Sequence, residues 1–461
     1  MITTPQKSTF ASFARSTWRS ALILSTTLAS ACSTIERVTN SVSEELDPAR
    51  ATTTRAKFTT EPDIRVRVVK GTERVRIDGM SKVVIRPIGS GLPDTVPTPV
   101  VVQSGKDGIK AIDARGGTLS WPFATDVEVL TPEDATPTMP SMRARSDQAL
   151  QVNGTRYPGV IQIRPRWSES ASSMDVIASM GIETYLPGVL QAEMVKTWPR
   201  QAFEAQAVAS RTYALHERER ARRENRTYDV EANTNDQAYT GGTIVPVAAE
   251  AARSTRGQAM TYNGGLIRAY YSSTCGGRPA SAAYAWPKVS GTEFNNAKPL
   301  QGKTRQAPCK DSKWYRWSVT RDDEELSQRL RAWARGNKHD AAGMGRLKAI
   351  RVKDRNDAQR PNSYIVLDSG GREFEFTPEQ IRQALNQPAG SLPPITEANR
   401  VLSGDFEAEV WADKVRIHGR GWGHGVGMCQ YCAKAFAEQG MDWPAMVKTF
   451  YPGVEVGKMY P

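Results

Sequence analysis

The chain has 461 residues, enough to bury a sizeable core and to hold two domains or one large domain with additions. Its composition is that of an ordinary globular protein, with glycine and proline frequent enough for many turns, and it holds no low-complexity block. A formal net charge of +12 favours polyanionic partners, whether nucleic acid, anionic lipid or anionic cell-wall polymer, without choosing among them.

The N-terminus narrows that choice. Lys7, Arg15 and Arg19 precede an apolar run from Ala21 to Ala31, and no acidic residue occurs before Glu36. This is the layout of a secretory signal, and the run is too short to cross a bilayer as a helix. Cys32, directly after Leu28-Ala29-Ser30-Ala31, resembles the cysteine of a bacterial lipobox, with Ala29 where leucine or valine is usual. Residues 1–31 are therefore expected to be a lipoprotein-type signal peptide, with Cys32 lipidated and anchored in a membrane. Ser33 rather than aspartate after Cys32 leans towards the outer membrane of a Gram-negative cell. The expected place is the periplasmic face of the cell envelope, which argues against nucleic acid as a partner.

Residues 32–60 are rich in Ser, Thr, Arg and Glu and read as a tether. Period-two alternation then predicts half-buried strands at Ile64–Val69, Val75–Ile77 and Lys82–Arg86, making 61–148 a strand-rich N-terminal module. Turn and loop residues mark Asp94–Pro99 and Thr131–Pro140. Strand signals resume at Ala149–Gly154 and Gly159–Arg164, within a second domain expected over 149–461. Helical signals start near Tyr185. Pro199 suits the first turn of a further helix whose Ala202, Ala205, Gln206, Ala209, Thr212 and Tyr213 recur at spacings of three and four. That pattern predicts an amphipathic helix with a small-residue face, ending among Arg218, Arg220, Arg222 and Arg223. Strand signals and loops follow to Phe376. Thr377–Leu385 opens with a capping box, and Ala433–Gln439 and Trp443–Phe450 also read as helical. The fold class is α+β.

One carboxylate stands apart. Glu193 is the only acid between Glu183 and Glu204, with Leu190, Ala192, Met194, Val195 and Trp198 around it. Apolar surroundings disfavour the charged form and raise a carboxyl pKa, and a carboxylic acid protonated near neutral pH can give its proton to a leaving oxygen. A helix-surface glutamate facing water is the plain alternative.

Further along, Gly419, Gly421, Gly423, Gly425 and Gly427 alternate, without the spacing of a dinucleotide fingerprint. The alternation suggests an extended segment with one bare face, open either to a sugar ring or to another backbone. Trp422 could stack on a sugar there and His424 could hydrogen-bond to it. Tyr271, Ser272 and Ser273 lie beside the turn at Gly276-Gly277 and suit sugar binding, though core packing and turn building explain them equally well. No G-x-S-x-G elbow supports either serine as a nucleophile.

Four cysteines follow Cys32: Cys275, Cys309, Cys429 and Cys432. In an oxidising envelope two disulfides are expected, with Cys275–Cys309 and Cys429–Cys432 chosen among three pairings. The C-x-x-C pair could instead be redox active or bind metal. No thioredoxin-like pattern precedes it, and no second ligand pair at zinc spacing is evident, so neither cofactor nor metal is expected.

Three segments together resemble the SpoIID/LytB family, the stage II sporulation protein D and its non-sporulation relatives. The first is Tyr185-Leu-Pro-Gly-Val-Leu-Gln-Ala-Glu-Met194 with Trp198-Pro199 and Ala205–Tyr213. The second runs from Ala251–Gly257 through Ala269–Gly277. The third is Gly419–Met428, closing with Phe450-Tyr-Pro-Gly453. The resemblance covers roughly residues 150–453. It implies a lytic transglycosylase that acts on peptidoglycan strands stripped of stem peptides. Such enzymes cleave between N-acetylmuramic acid and N-acetylglucosamine and leave 1,6-anhydro ends. It also implies Glu193 as the catalytic acid and Arg211 as a site residue. Gln206 and Gln430, in or beside the motif segments, are further candidate substrate contacts. Relatives named amidase enhancers make a non-catalytic, glycan-binding partner of a cell-wall amidase the alternative. Some members bind zinc through His and Cys between the first two motifs; here Tyr228–Tyr239 holds neither, and no zinc is expected there.

Overall fold

The computed structural model describes residues 58–89, 92–122, 125–135, 149–168, 171–242, 245–390 and 392–461. All of these fall within one compact unit, 52–461. The expected signal peptide, the lipidation site at Cys32 and the tether up to residue 57 lie outside the described residues, as does the second half of Thr131–Pro140. Strands and helices are mixed along the chain, so the α+β class holds.

The alternating segments become strands because each has one apolar face to bury. Ile64, Val66, Val75, Ile77, Val83 and Ile85 are almost fully buried. A seven-stranded sheet has the order Val230–Glu231, Asp63–Thr72, Ala171–Gly181, Val160–Ser168, Val127–Leu130, Lys82–Pro87, Asp94–Pro97. Asp63–Thr72 runs antiparallel to Ala171–Gly181, setting Ile64 opposite Met180 and Val66 opposite Ala178. A six-stranded sheet has the order Thr155–Tyr157, Leu150–Val152, Arg74–Asp78, Val100–Gly105, Gly108–Ile112, Thr118–Pro122. Both sheets take strands from either side of residue 148. Asp94–Pro97, read from sequence as a turn, is an edge strand on Lys82–Ile85. Its proline is tolerated there because an edge strand has a side that needs no N–H.

Strand Ala171–Gly181 passes directly into helix Ile182–Glu193. Ile182, Tyr185, Leu186, Val189 and Leu190 are buried, at the spacing of one helix face. The next helix, Arg200–Arg223, departs from expectation. It is buried almost all round from Ala202 to Glu217, rather than amphipathic. Its alanines leave room for four other helices, Ile182–Glu193, Pro246–Ser254, Gln430–Glu438 and Trp443–Phe450, to pack against it. Pro199 sits at its cap rather than in its first turn.

A second apolar cluster forms between Trp317 and Ile417, around Leu326, Leu330, Trp333, Tyr364, Val366, Phe376, Ile381 and Val415. It lies between two three-stranded sheets and helices Asp323–Gly336 and Pro378–Leu385. The first of those helices was hidden from the strand-and-loop reading, although Asp323, Glu324 and Glu325 open it in the place that suits a helix N-terminus. The second starts with the expected capping box between Thr377 and Gln380. The expected helices near 433–439 and 443–450 form as Gln430–Glu438 and Trp443–Phe450. Among the described residues no helix is long and apolar enough to cross a membrane.

Candidate active site

Glu193 is the last residue of its helix. The helix is brought close to the following chain by Gly188, where a Cβ would lie 2.1 Å from the Gly241 carbonyl oxygen and 2.5 Å from the Tyr239 ring. That approach sets Ala238 beside the helix end, and the Ala238 N–H donates to Glu193 Oε1 at 2.9 Å. Gln430 Nε2 approaches Glu193 Oε2 at 3.5 Å and Gln206 Oε1 at 3.4 Å. Gln206 Nε2 in turn donates to Ser210 Oγ at 2.9 Å. Among the described residues no lysine or arginine bonds to Glu193. Burial raises its pKa above the usual glutamate value, and the Ala238 N–H and Gln430 amide draw it only part of the way back. The side chain stays partly open to solvent. The arrangement is that of an acid able to hold its proton and reach a ligand.

Tyr271 closes one side of this site. Its hydroxyl accepts from Gln237 Nε2 at 2.9 Å, and Gln237 Oε1 accepts from Tyr185 at 3.2 Å. Burial, then the nearby Glu193 carboxylate, push the Tyr271 pKa well up, so it remains a neutral phenol. Trp198 and Tyr431 pack edge to face with centroids 4.9 Å apart, five residues after Glu193 and one after Gln430.

Glu193, Gln206, Gln430 and Tyr271 are thus brought together. Arg211 is not, and its expected role as a substrate contact is corrected. It is fully buried, and its Nε and Nη2 grip Glu183 at 3.0 and 2.8 Å. Its other N–H groups go to the Ala252 carbonyl, Thr255 Oγ1 and the Gln258 carbonyl at 3.0, 3.3 and 3.2 Å. All five donors are engaged, leaving none for a ligand. Burial works to raise the Glu183 pKa, and Arg211, Tyr460 and the Gly257 N–H outweigh it.

The glycine-rich segment is also corrected. It is not extended: Gly421, Gly423, Gly425 and Gly427 have φ of 76°, 96°, 76° and 68°. It crosses tightly over chain 270–276, where a Cβ on Gly421 or Gly427 would lie 2.3 Å from the Thr274 oxygen or 2.1 Å from the Tyr270 oxygen. Ser272, buried, accepts the Gly425 N–H at 3.1 Å and so fastens this crossing. The Ser273 carbonyl accepts the Tyr431 N–H at 3.1 Å. His424 accepts the Val426 N–H at 3.0 Å and packs against Tyr270 and Trp286, and burial pushes its pKa down to about 4. It is neutral at physiological pH. Trp422 is 38% exposed and meets Trp314 edge to face. Among the described residues neither Trp422 nor His424 bonds to Glu193.

The expected disulfides do not form. Cys275, Cys309, Cys429 and Cys432 are free, buried and gathered in one cluster. Sequence reasoning missed this because the partners of the C-x-x-C pair are scattered along the chain. It also missed Gln237 and Ala238; no residue pattern marks a backbone N–H as a carboxylate partner.

Two family models match the chain. The stage II sporulation protein model, SpoIID, covers residues 170–262, and a domain of unknown function, DUF8618, covers 287–427. The first holds Glu193; the second overlies the separate apolar cluster. The chain is 29% identical over 318 residues to an uncharacterised protein of Brachyspira hyodysenteriae, covering 68% of this chain and 75% of that one. It is 28% identical over 292 residues to the amidase enhancer of Bacillus subtilis, covering 58% of this chain and only 39% of that protein. It is 25% identical over 296 residues to stage II sporulation protein D of Bacillus subtilis, covering 61% of this chain and 76% of that one. The chain thus carries a SpoIID domain over the Glu193 site, and it is similar to relatives bearing both of that family's names.

Proposed function

We propose that the protein is a lytic transglycosylase that cleaves peptidoglycan glycan strands, stripped of stem peptides, between N-acetylmuramic acid and N-acetylglucosamine. The observation that carries this reading is the state of Glu193: partly open, raised in pKa by burial, and held by an N–H and an amide, with no cation bonded to it among the described residues. Most glycosidases need two carboxyl groups. Here one is enough. The Glu193 proton goes to the glycosidic oxygen as its bond to the muramic C1 breaks. The C6 hydroxyl oxygen of the same sugar bonds to C1, and its proton passes to the Glu193 carboxylate. The acid is restored and no water is consumed. Gln430, braced from behind by the fully buried Gln206, would hold the carboxylate, Tyr271 would donate or accept beside it, and Trp198 and Tyr431 offer faces for a sugar ring.

The protein would act at the periplasmic face of the envelope, anchored through Cys32. A second reading, a non-catalytic glycan-binding enhancer of a cell-wall amidase, is favoured by one relative's name. Replacing Glu193 with glutamine separates the two. Under the enzyme reading E193Q releases no 1,6-anhydro product from stripped glycan yet still sediments with it. Under the second reading wild type and E193Q stimulate a purified amidase equally, and neither releases product alone.

A further inference from the structure

The four cysteines come from three separate stretches of chain. Cys275 follows strand Tyr271–Ser272, Cys309 lies on the approach to the Trp317–Ile417 cluster, and Cys429 and Cys432 open helix Gln430–Glu438. All four are at most 1% exposed. Their sulfurs lie within 4.8 Å of one another. Cys275 Sγ is 3.7 Å from that of Cys309 and 3.9 Å from that of Cys432.

These separations exclude a sulfur–sulfur bond, which needs about 2.05 Å. They match something else. Four thiolates bound to zinc at about 2.3 Å and tetrahedral angles stand about 3.8 Å apart, edge by edge. Two disulfides would use sulfurs in pairs, whereas here each sulfur neighbours the other three. The Cys275 N–H points at Cys429 Sγ at 3.3 Å, the kind of outer hydrogen bond that supports a metal-bound thiolate. We infer that Cys275, Cys309, Cys429 and Cys432 form a structural zinc site.

The site has a definite place in the molecule. It ties the strand carrying Tyr271, the loop that leads into the Trp317–Ile417 cluster, and the helix carrying Gln430. Cys275 and Cys432 are 157 residues apart and Cys275 and Cys309 are 34 apart, so a metal bound to all four closes long loops that the fold must otherwise hold by packing. Gln430 lies between two of the four ligands, so the metal fixes the backbone that presents its amide to Glu193. All four ligand positions are filled by protein, which is the pattern of a structural site rather than a catalytic one.

The test is metal analysis of the full chain, purified without chelator, with peptide mapping of the four cysteines after alkylation. The expected result is one zinc per chain, with all four thiols alkylated only after denaturation in chelator. Cobalt(II) substitution is expected to give the visible bands of a tetrahedral tetrathiolate site. Chelator alone should lower the melting temperature by several degrees, and C429S/C432S should lose the metal. Should that variant fail to fold, the wild-type metal content and cobalt spectrum decide by themselves. Disulfide-linked peptides without zinc overturn the assignment. So do four free thiols that take up neither zinc nor cobalt when titrated, or bound iron in place of zinc.

Discussion

Glu193 and Arg211 show how burial gives two charged residues opposite roles. The folded-state pKa of Glu193 lies above its unfolded value, so the fold favours the protonated acid. Wild-type stability should therefore fall as pH rises from the ordinary glutamate range through the raised value. Glutamine does not titrate. E193Q should match wild type in acid and melt at a higher temperature at alkaline pH; a difference that stays constant with pH contradicts the raised pKa. Arg211 is the reverse case, a buried cation fully paired with Glu183 and carbonyl oxygens. R211M leaves Glu183 without its partner and should cost about 3–5 kcal/mol in urea unfolding. The fraction that stays folded should bind glycan as wild type does. A folded, stable R211M that has lost only glycan binding would return Arg211 to the site.

Among the elements, the glycine-rich crossing is the least forgiving. Gly427 combines a left-handed φ of 68° with a Cβ position 2.1 Å from the Tyr270 oxygen. Gly440, just past helix Gln430–Glu438, has a similar φ of 84° and open space around it. G427A should destabilise by well over about 1 kcal/mol, and G440A by less, since only backbone strain acts there. Equal losses in thermal melts would mean that the close crossing does not matter. Much of the element pattern was legible in sequence. Alternation located the strands at Ile64, Val75 and Lys82, and the Thr377–Gln380 pair located a helix start. What misled was periodicity without context. The alanines of Arg200–Arg223 repeat on one face, but they are small enough for helices to pack on every side. The alternate glycines suggested a flat strand, whereas four of them turn left-handed, with backbone at Gly421 and Gly427, and the Ser272 and Arg360 side chains at Gly423 and Gly425, in the space a Cβ would need.

At the scale of the molecule, the site is assembled from parts far apart in sequence. Glu193, Ala238 and Gln430 span more than half of the chain, and the Trp317–Ile417 cluster stands between the Tyr271 strand and the Gln430 helix. The acid was legible from its apolar neighbours and Gln430 from the motif regions; Ala238 was not, because a backbone N–H that pairs through the tertiary fold leaves no local signal. Net charge acts at this scale too. With +9 left on the chain once the expected signal peptide and its Lys7, Arg15 and Arg19 are removed, affinity for stripped glycan, which carries a lactyl carboxylate on each muramic residue, should weaken as salt is added. Sedimentation that is unchanged by salt would leave the positive charge without a role in glycan binding. The central claim is that one carboxyl group and the sugar's own hydroxyl suffice for cleavage, without water. It is tested most directly by digesting stripped glycan with the wild-type protein in ¹⁸O-labelled water and analysing the products by mass. The account predicts 1,6-anhydro ends that contain no label. Labelled reducing ends, or no cleavage at all, would contradict it.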